Sequence, residues 1–121
     1  MEKPIVFKDI PVSKIKIGHF FFKIEQITER ESQLGNQHGH CDVENQCIRV
    51  QESLKGHFLV NVLLHETIHA IHWFFNLDDN KGEEEFTELT ANGILMVMRD
   101  NPEFWIWIME NTLTNEQVSD K

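Results

Sequence analysis

The residues from Phe58 to Phe75 constrain the fold of this chain more than any other segment. The segment is apolar over most of its length, which predicts a helix that begins soon after Ser53 and is apolar on most of its faces. Its polar interruptions are Asn61, His65, Glu66, Thr67, His69 and His72. Because a helix of this type normally lies buried in its domain, these polar side chains need hydrogen-bond partners, water or a metal ion.

Composition narrows the class of protein. A chain of 121 residues with 40% hydrophobic content has room for one folded domain. Its formal charge of -9 argues against binding to nucleic acid or to an anionic membrane surface. No N-terminal signal peptide is apparent, and no apolar stretch is long enough to span a bilayer. Cys41 and Cys47 match no disulfide scaffold, so we expect a cytoplasmic protein with reduced cysteines.

The rest of the chain predicts an α+β fold with a small antiparallel or mixed sheet ahead of the helices. We expect a strand over residues 15–27 that is bent or broken near Gly18, turns over residues 34–45, and a short strand over residues 47–51. A second helix should run from Glu83 to about Arg99, and a short third helix should start at Pro102. Residues 1–52 thus hold mainly strands and turns, residues 53–111 mainly helices, and residues 112–121 a tail that should fray.

The pattern HExxH lies inside the buried helix, as His65-Glu66-Thr67-Ile68-His69. Residues four apart project from one helical face, so both histidines can reach one zinc ion through ring nitrogens. Glu66 is adjacent to the first ligand and can act as the general base that takes a proton from a zinc-activated water. Buried histidines with a purely structural role are the alternative.

A third protein ligand would complete the zinc site and leave the fourth position for water. The second helix offers several carboxylates, and a ligand must lie on the face of that helix that is turned toward the core. Glu85 fits best because the residues four, five, eight and nine positions further on are mostly apolar or small, whereas Glu84 and Glu88 have more polar neighbours. Glu88 could instead orient a ligand histidine, and His72 could line the site.

These segments resemble the zincin metallopeptidases of the Glu-ligand type. Within that group the chain is most similar to the small phage-associated and mobile-element-associated domains related to the ImmA/IrrE-like family. The resemblance rests on residues 63–71 around the HExxH pattern, on residues 84–93 of the second helix, and on Arg99-Asp100-Asn101-Pro102. It implies a zinc-dependent peptidase with Glu85 as third ligand, acting in the host cytoplasm if the chain is encoded by a phage.

The resemblance also implies how a protein or peptide substrate binds. In such domains the edge strand of a small sheet lies alongside the extended substrate. We assign that role to the strand over residues 47–51, and in particular to Ile48, Arg49 and Val50. Many zincins stabilise the developing oxyanion with Tyr or His, and this chain has no Tyr. The candidates for that role are His72, His57, His40 and Arg49.

Three alternatives stay open. The chain could be a zincin-shaped module that binds proteins, is weakly active or inactive, and uses zinc for stability. His38, His40, Cys41 and Cys47 could hold a second metal ion, although their spacing is not that of structural zinc sites. The segment from Phe104 to Met109 could contact a second copy or another partner, because a short helix hides only one face.

Overall fold

The computed structural model of this protein describes residues 10–28, 30, 38–77 and 82–120, with the backbone alone beyond residue 112. Four strands come first: β1 (Lys14–Ile17), β2 (Phe20–Ile27), β3 (Gly39–Asp42) and β4 (Cys47–Gln51). Three helices follow, namely α1 (Gly56–Phe74), α2 (Glu83–Asp100) and α3 (Pro102–Asp120). This arrangement confirms the α+β class. None of the helices in the described part of the chain is both long and apolar enough to cross a membrane.

The sheet is mixed, with the strand order β1-β2-β4-β3. β1 and β2 pair antiparallel, β2 and β4 pair parallel, and β4 and β3 pair antiparallel. β4 therefore lies in the interior of the sheet, and β3 lies at its edge among the described strands. The placement of Ile48, Arg49 and Val50 on an edge strand is wrong, because each of them pairs with β2 on one side and with β3 on the other.

The hairpin between β1 and β2 confirms the predicted break near Gly18. This residue has a φ of 66°, in the left-handed region that glycine adopts at little cost. A Cβ atom at position 18 would also collide with the ring of Phe74 on α1. Glycine is therefore needed both for the turn and for the close approach of α1.

One face of the sheet packs against α1 to form the core. Fully buried residues from both layers meet there, and α3 adds two further aromatic residues. The core includes Ile15, Ile17, Phe22, Ile48, Val50, Leu59, Leu63, Ala70, Ile71, Phe104 and Trp107. Burial of this apolar surface is the main stabilising contribution to the fold. It fixes α1 directly against β4 and β3.

The junction between α2 and α3 is tied to the sheet by Asn101. Its side-chain amide accepts a hydrogen bond from the Lys16 backbone N–H at 2.9 Å and donates to the Lys16 carbonyl at 2.8 Å and the Val97 carbonyl at 3.0 Å. Pro102 begins α3, as predicted. The expectation of a short third helix is wrong, because α3 extends over 19 residues to Asp120.

Two further predictions on local structure had mixed outcomes. The predicted turn region over residues 34–45 contains β3, so part of it is a strand. Its residues 34–37, like residues 78–81 of the predicted loop before α2, lie outside the described residues. The start of α2 at Glu83 agrees with the prediction.

Candidate metal centre

The candidate site lies on α1, whose inner face is held by the core. Eight of its 19 residues are buried, and these include Glu66 and Thr67. The Thr67 hydroxyl donates a hydrogen bond to the Leu63 carbonyl at 2.8 Å, so this polar group is satisfied within the helix. Thr67 therefore has a structural role. Glu66 is 8% exposed and faces the other way, toward a cleft between α1 and β3.

His65 and His69 face one another as the HExxH spacing predicts. Their Nε2 atoms are 3.1 Å apart, and their rings meet edge to face with centroids 4.8 Å apart. Both nitrogens can lie at about 2.0–2.1 Å from a single zinc ion, since their separation is less than twice that distance. The same separation suits an N–H···N hydrogen bond between neutral rings. The distance between the two nitrogens is thus compatible with a shared zinc ion and equally with a hydrogen bond between the rings.

Glu66 is held between α1 and the edge strand. An ideal Cβ atom on Gly39 of β3 would lie 2.7 Å from Val62 Cγ1 and 3.2 Å from Glu66 Oε2. Real Cβ atoms essentially never approach another atom to 2.7 Å, so only glycine lets the β3 backbone lie this close to α1. Gly39 therefore brings the edge strand directly against the carboxylate. From the sequence, Gly39 is expected only in a turn, and its contact with α1 is seen only in the structure.

The cleft has a volume of about 710 Å³, which is within the range of small-molecule and peptide-binding pockets. Its walls are formed by β3 with the residues on either side of it and by one face of α1. The lining residues are His38, Gly39, His40, Cys41, Val43, Phe58, Asn61, Val62, His65, Glu66, His69 and Trp73. On α1, Phe58, Asn61, His65, His69 and Trp73 follow one another at intervals of three or four residues. Helical periodicity alone therefore places Phe58 and Trp73 on the same face as the histidine pair.

The carboxylates of α2 do not join the histidine pair. Within the described residues, no group of three or more His, Cys, Asp or Glu side chains is close enough to hold a metal ion. Glu85 and Glu88 are both exposed, and neither lines the cleft. The structure thus places His65, Glu66 and His69 in one cleft, and neither Glu85 nor Glu88 is among the residues that line it.

His72 shows how α2 packs against α1. Its Nε2 atom lies 3.3 Å from the Thr90 hydroxyl, and its ring centroid is 4.7 Å from that of Phe86. Burial, with a smaller contribution from nearby His69, lowers the pKa of the His72 imidazole. His72 therefore faces α2 and does not line the cleft. Its contact on α2 is Phe86, the residue that follows Glu85.

The other candidates for oxyanion stabilisation occupy different places. Arg49 points away from the site, because its guanidinium pairs with Glu25 at 3.3 Å and with Asp42 at 3.1 Å. His57 is exposed and is not among the lining residues of the cleft. His40, on β3, does line the cleft.

The cysteines do not form a second metal site with the neighbouring histidines in the described part of the chain. Cys41 of β3 pairs directly with Ile48 of β4, so these two side chains lie on the same face of the sheet. Cys47 is adjacent to Ile48 in β4, so its side chain points to the opposite face from that of Cys41. Burial, followed by the charge of Glu66, raises the pKa of the Cys41 thiol to about 12. Burial also raises the pKa of the Cys47 thiol to about 11.

The segment from Phe104 to Met109 divides between core and surface. Phe104 and Trp107 are buried, whereas Ile106 and Met109 are exposed. One face of α3 thus belongs to the core, and the other is open to solvent.

Comparisons of the chain with protein-family models, with curated proteins and with solved structures find no match. The function is therefore inferred from the HExxH pattern and from the geometry of the cleft.

Proposed function

We propose that this protein is a zinc-dependent metallopeptidase of the zincin type. One observation carries the proposal: the Nε2 atoms of His65 and His69 are 3.1 Å apart at the wall of a cleft that also contains the buried carboxylate of Glu66. Two imidazoles and a carboxylate on one helical face supply two metal ligands and a general base.

His65, His69 and Glu85 would hold the zinc ion. Zinc, when bound, lowers the pKa of a coordinated water to about 7 and polarises a carbonyl group. Glu85 is the proposed third ligand because the neighbouring residue Phe86 contacts His72 on α1. Glu85 must lie beside the histidine pair for this role. Glu88, one turn further along α2, would then orient a ligand histidine.

Glu66 would move the proton in the reaction. Its carboxylate would take a proton from the attacking water and pass it to the amine that leaves when the peptide bond breaks. Partial burial favours this role, since charges interact more strongly where water is largely excluded. Gly39 keeps the β3 backbone beside the carboxylate and so limits the positions that Glu66 can adopt.

β3 would bind the substrate backbone. It replaces β4 in this role because it lies at the sheet edge and forms a wall of the cleft. An extended peptide can add to such an edge through backbone hydrogen bonds. Of the four candidates for oxyanion stabilisation, His40 alone is among the residues that line the cleft. It pairs directly with Arg49, so its side chain lies on the face of the sheet turned away from α1, and we assign the role to none of the four.

A protein-binding module without peptidase activity is the second candidate function. It is favoured by one observation, namely that neither Glu85 nor Glu88 is among the described residues that line the cleft. In that case the cleft would bind a peptide and leave it intact.

The substitution Glu66→Gln distinguishes the two functions. Wild type and variant, each loaded with zinc, are incubated with a mixed peptide library, and the products are identified by mass spectrometry. A peptidase should lose hydrolysis by about 10²–10⁴-fold in the variant and keep its zinc. Glu83→Gln, which alters an exposed carboxylate away from the cleft, is the matched control. Equal inertness of wild type and Glu66→Gln with zinc bound would exclude the peptidase and favour the module.

A further inference from the structure

Two large aromatic side chains on α1 are exposed inside the cleft. Phe58 is 50% exposed and Trp73 is 37% exposed, and both line its wall. Phe58 precedes His65 by seven residues and Trp73 follows His69 by four, so they lie about 10 Å and about 6 Å from the histidine pair along the helix axis. The cleft therefore has an aromatic surface on each side of the site.

Both aromatic rings are held by neighbours on the sheet side of the cleft. Trp73 meets Phe20 and Phe22 of β2 edge to face, with centroids 5.0 Å and 5.7 Å apart. The ring of Phe58 packs against His38 in the same way at 5.1 Å. Edge-to-face packing limits the movement of the rings. Each ring therefore presents a fixed apolar surface, which loses little conformational entropy when a ligand covers it.

The charge of the cleft indicates which side chains it accepts. Its described lining contains no Lys or Arg, and its one acidic residue is Glu66. An acidic side chain would find no Lys or Arg to pair with away from the proposed zinc site, and the protein as a whole carries a charge of -9. Val43 and Val62 add further apolar surface. The described lining thus favours apolar over acidic side chains.

Building on the proposed function, we infer that the cleft selects extended peptides with large apolar, preferably aromatic, side chains on both sides of the position facing His65 and His69. Trp73 and Phe58 are the specificity-determining residues. Among the described strands β3 lies at the edge of the sheet and lines the same cleft, which favours an extended peptide over a compact ligand.

The test measures binding separately from cleavage. Zinc-loaded Glu66→Gln protein is titrated with fluorescein-labelled peptides that differ only in carrying Phe, Ala or Glu at the two flanking positions, and anisotropy gives the affinities. We expect the Phe peptide to bind about tenfold or more tightly than the other two. Adding Trp73→Ala should abolish most of that preference. Trp73→Phe in place of Trp73→Ala should keep the preference, because an aromatic ring is again present at position 73.

Phe21→Ala is the matched control, because Phe21 is 47% exposed on β2 and lies outside the cleft. It should leave the preference unchanged. Equal binding of the three peptides, no binding of any, or a chain dimer that Trp73→Ala dissociates in light scattering would each overturn the inference. Cleavage by wild-type protein is scored independently. A preference for Phe without any cleavage would support this inference and refute the peptidase, whereas cleavage without the preference would do the reverse.

Discussion

α1 and α2 both carry proposed zinc ligands, but the core holds them to different degrees. α1 buries eight residues, and its histidine pair follows from the spacing within a single rigid helix. α2 buries two described residues, Gly93 and Val97, and its acidic first turn is exposed. Ligands within one well-packed helix are placed by local geometry, whereas a ligand on a second helix depends on how the two helices pack. That difference accounts for the position of two of the proposed ligands in the cleft, while the third, Glu85, is not among its lining residues.

Removing core contacts from the two helices should have very different effects. Leu63→Ala deletes a fully buried side chain of α1 and should lower the free energy of unfolding by about 2–5 kcal/mol. Leu95→Ala on α2, where the side chain is 64% exposed, should change it by no more than about 0.5 kcal/mol. Urea denaturation followed by circular dichroism measures both. Similar losses in the two variants would contradict the comparison.

The close contact between α1 and β3 can be disturbed by one added methyl group at Gly39. Gly39→Ala places a methyl group against Val62 and Glu66 and should destabilise the fold by about 1–3 kcal/mol. If Glu66 is the general base, its displacement should also lower kcat more than it changes KM. Peptide hydrolysis and urea denaturation of the same sample measure the two effects. An unchanged kcat in a peptidase-active protein would show that Gly39 does not position Glu66.

The weaker placement of α2 gives a prediction for Glu85. Glu85→Gln should lower zinc affinity by about 10–100-fold or more if the side chain is a ligand, because outer partners of metal ligands already have effects of that size. Competition with a fluorescent zinc chelator measures the affinity. Glu84→Gln is the control. A loss confined to Glu88→Gln would transfer the ligand role to Glu88.

The smallest effect concerns the turn that joins β3 to β4. Hydrogen bonds from Asn45 and from Arg49 lower the pKa of the Asp42 carboxyl to about 2. Because this pKa is below its ordinary value near 3.8, the stabilisation is present above about pH 4 and is lost as the pH falls toward 2. Asp42→Asn should flatten the decline in the urea midpoint over that interval. An identical decline in wild type and variant would show that Asp42 does not contribute.

Sequence reasoning succeeded where local chemistry decides the structure. The long apolar segment predicted α1, Gly18 predicted the break before β2, and Pro102 predicted the start of α3. The geometry of the histidine pair followed from helical spacing alone. In each case the residues that determine the feature are neighbours in the chain, so no knowledge of tertiary packing was needed.

It failed where pairing between distant segments decides. β3 has the sequence Gly-His-Cys-Asp, which is typical of a turn, and it is a strand because it pairs with β4. The order of strands in the sheet cannot be read from any one strand, so β4 was placed at the edge.

The zinc content of the purified protein tests the central claim most directly. Elemental analysis after dialysis should find about one zinc ion per wild-type chain and almost none in His69→Ala. His57→Ala, which alters an exposed α1 histidine outside the cleft, should keep the full amount. A wild-type protein without zinc after refolding in the presence of zinc, or full zinc retention in His69→Ala, would contradict the assignment of this site as a zinc centre.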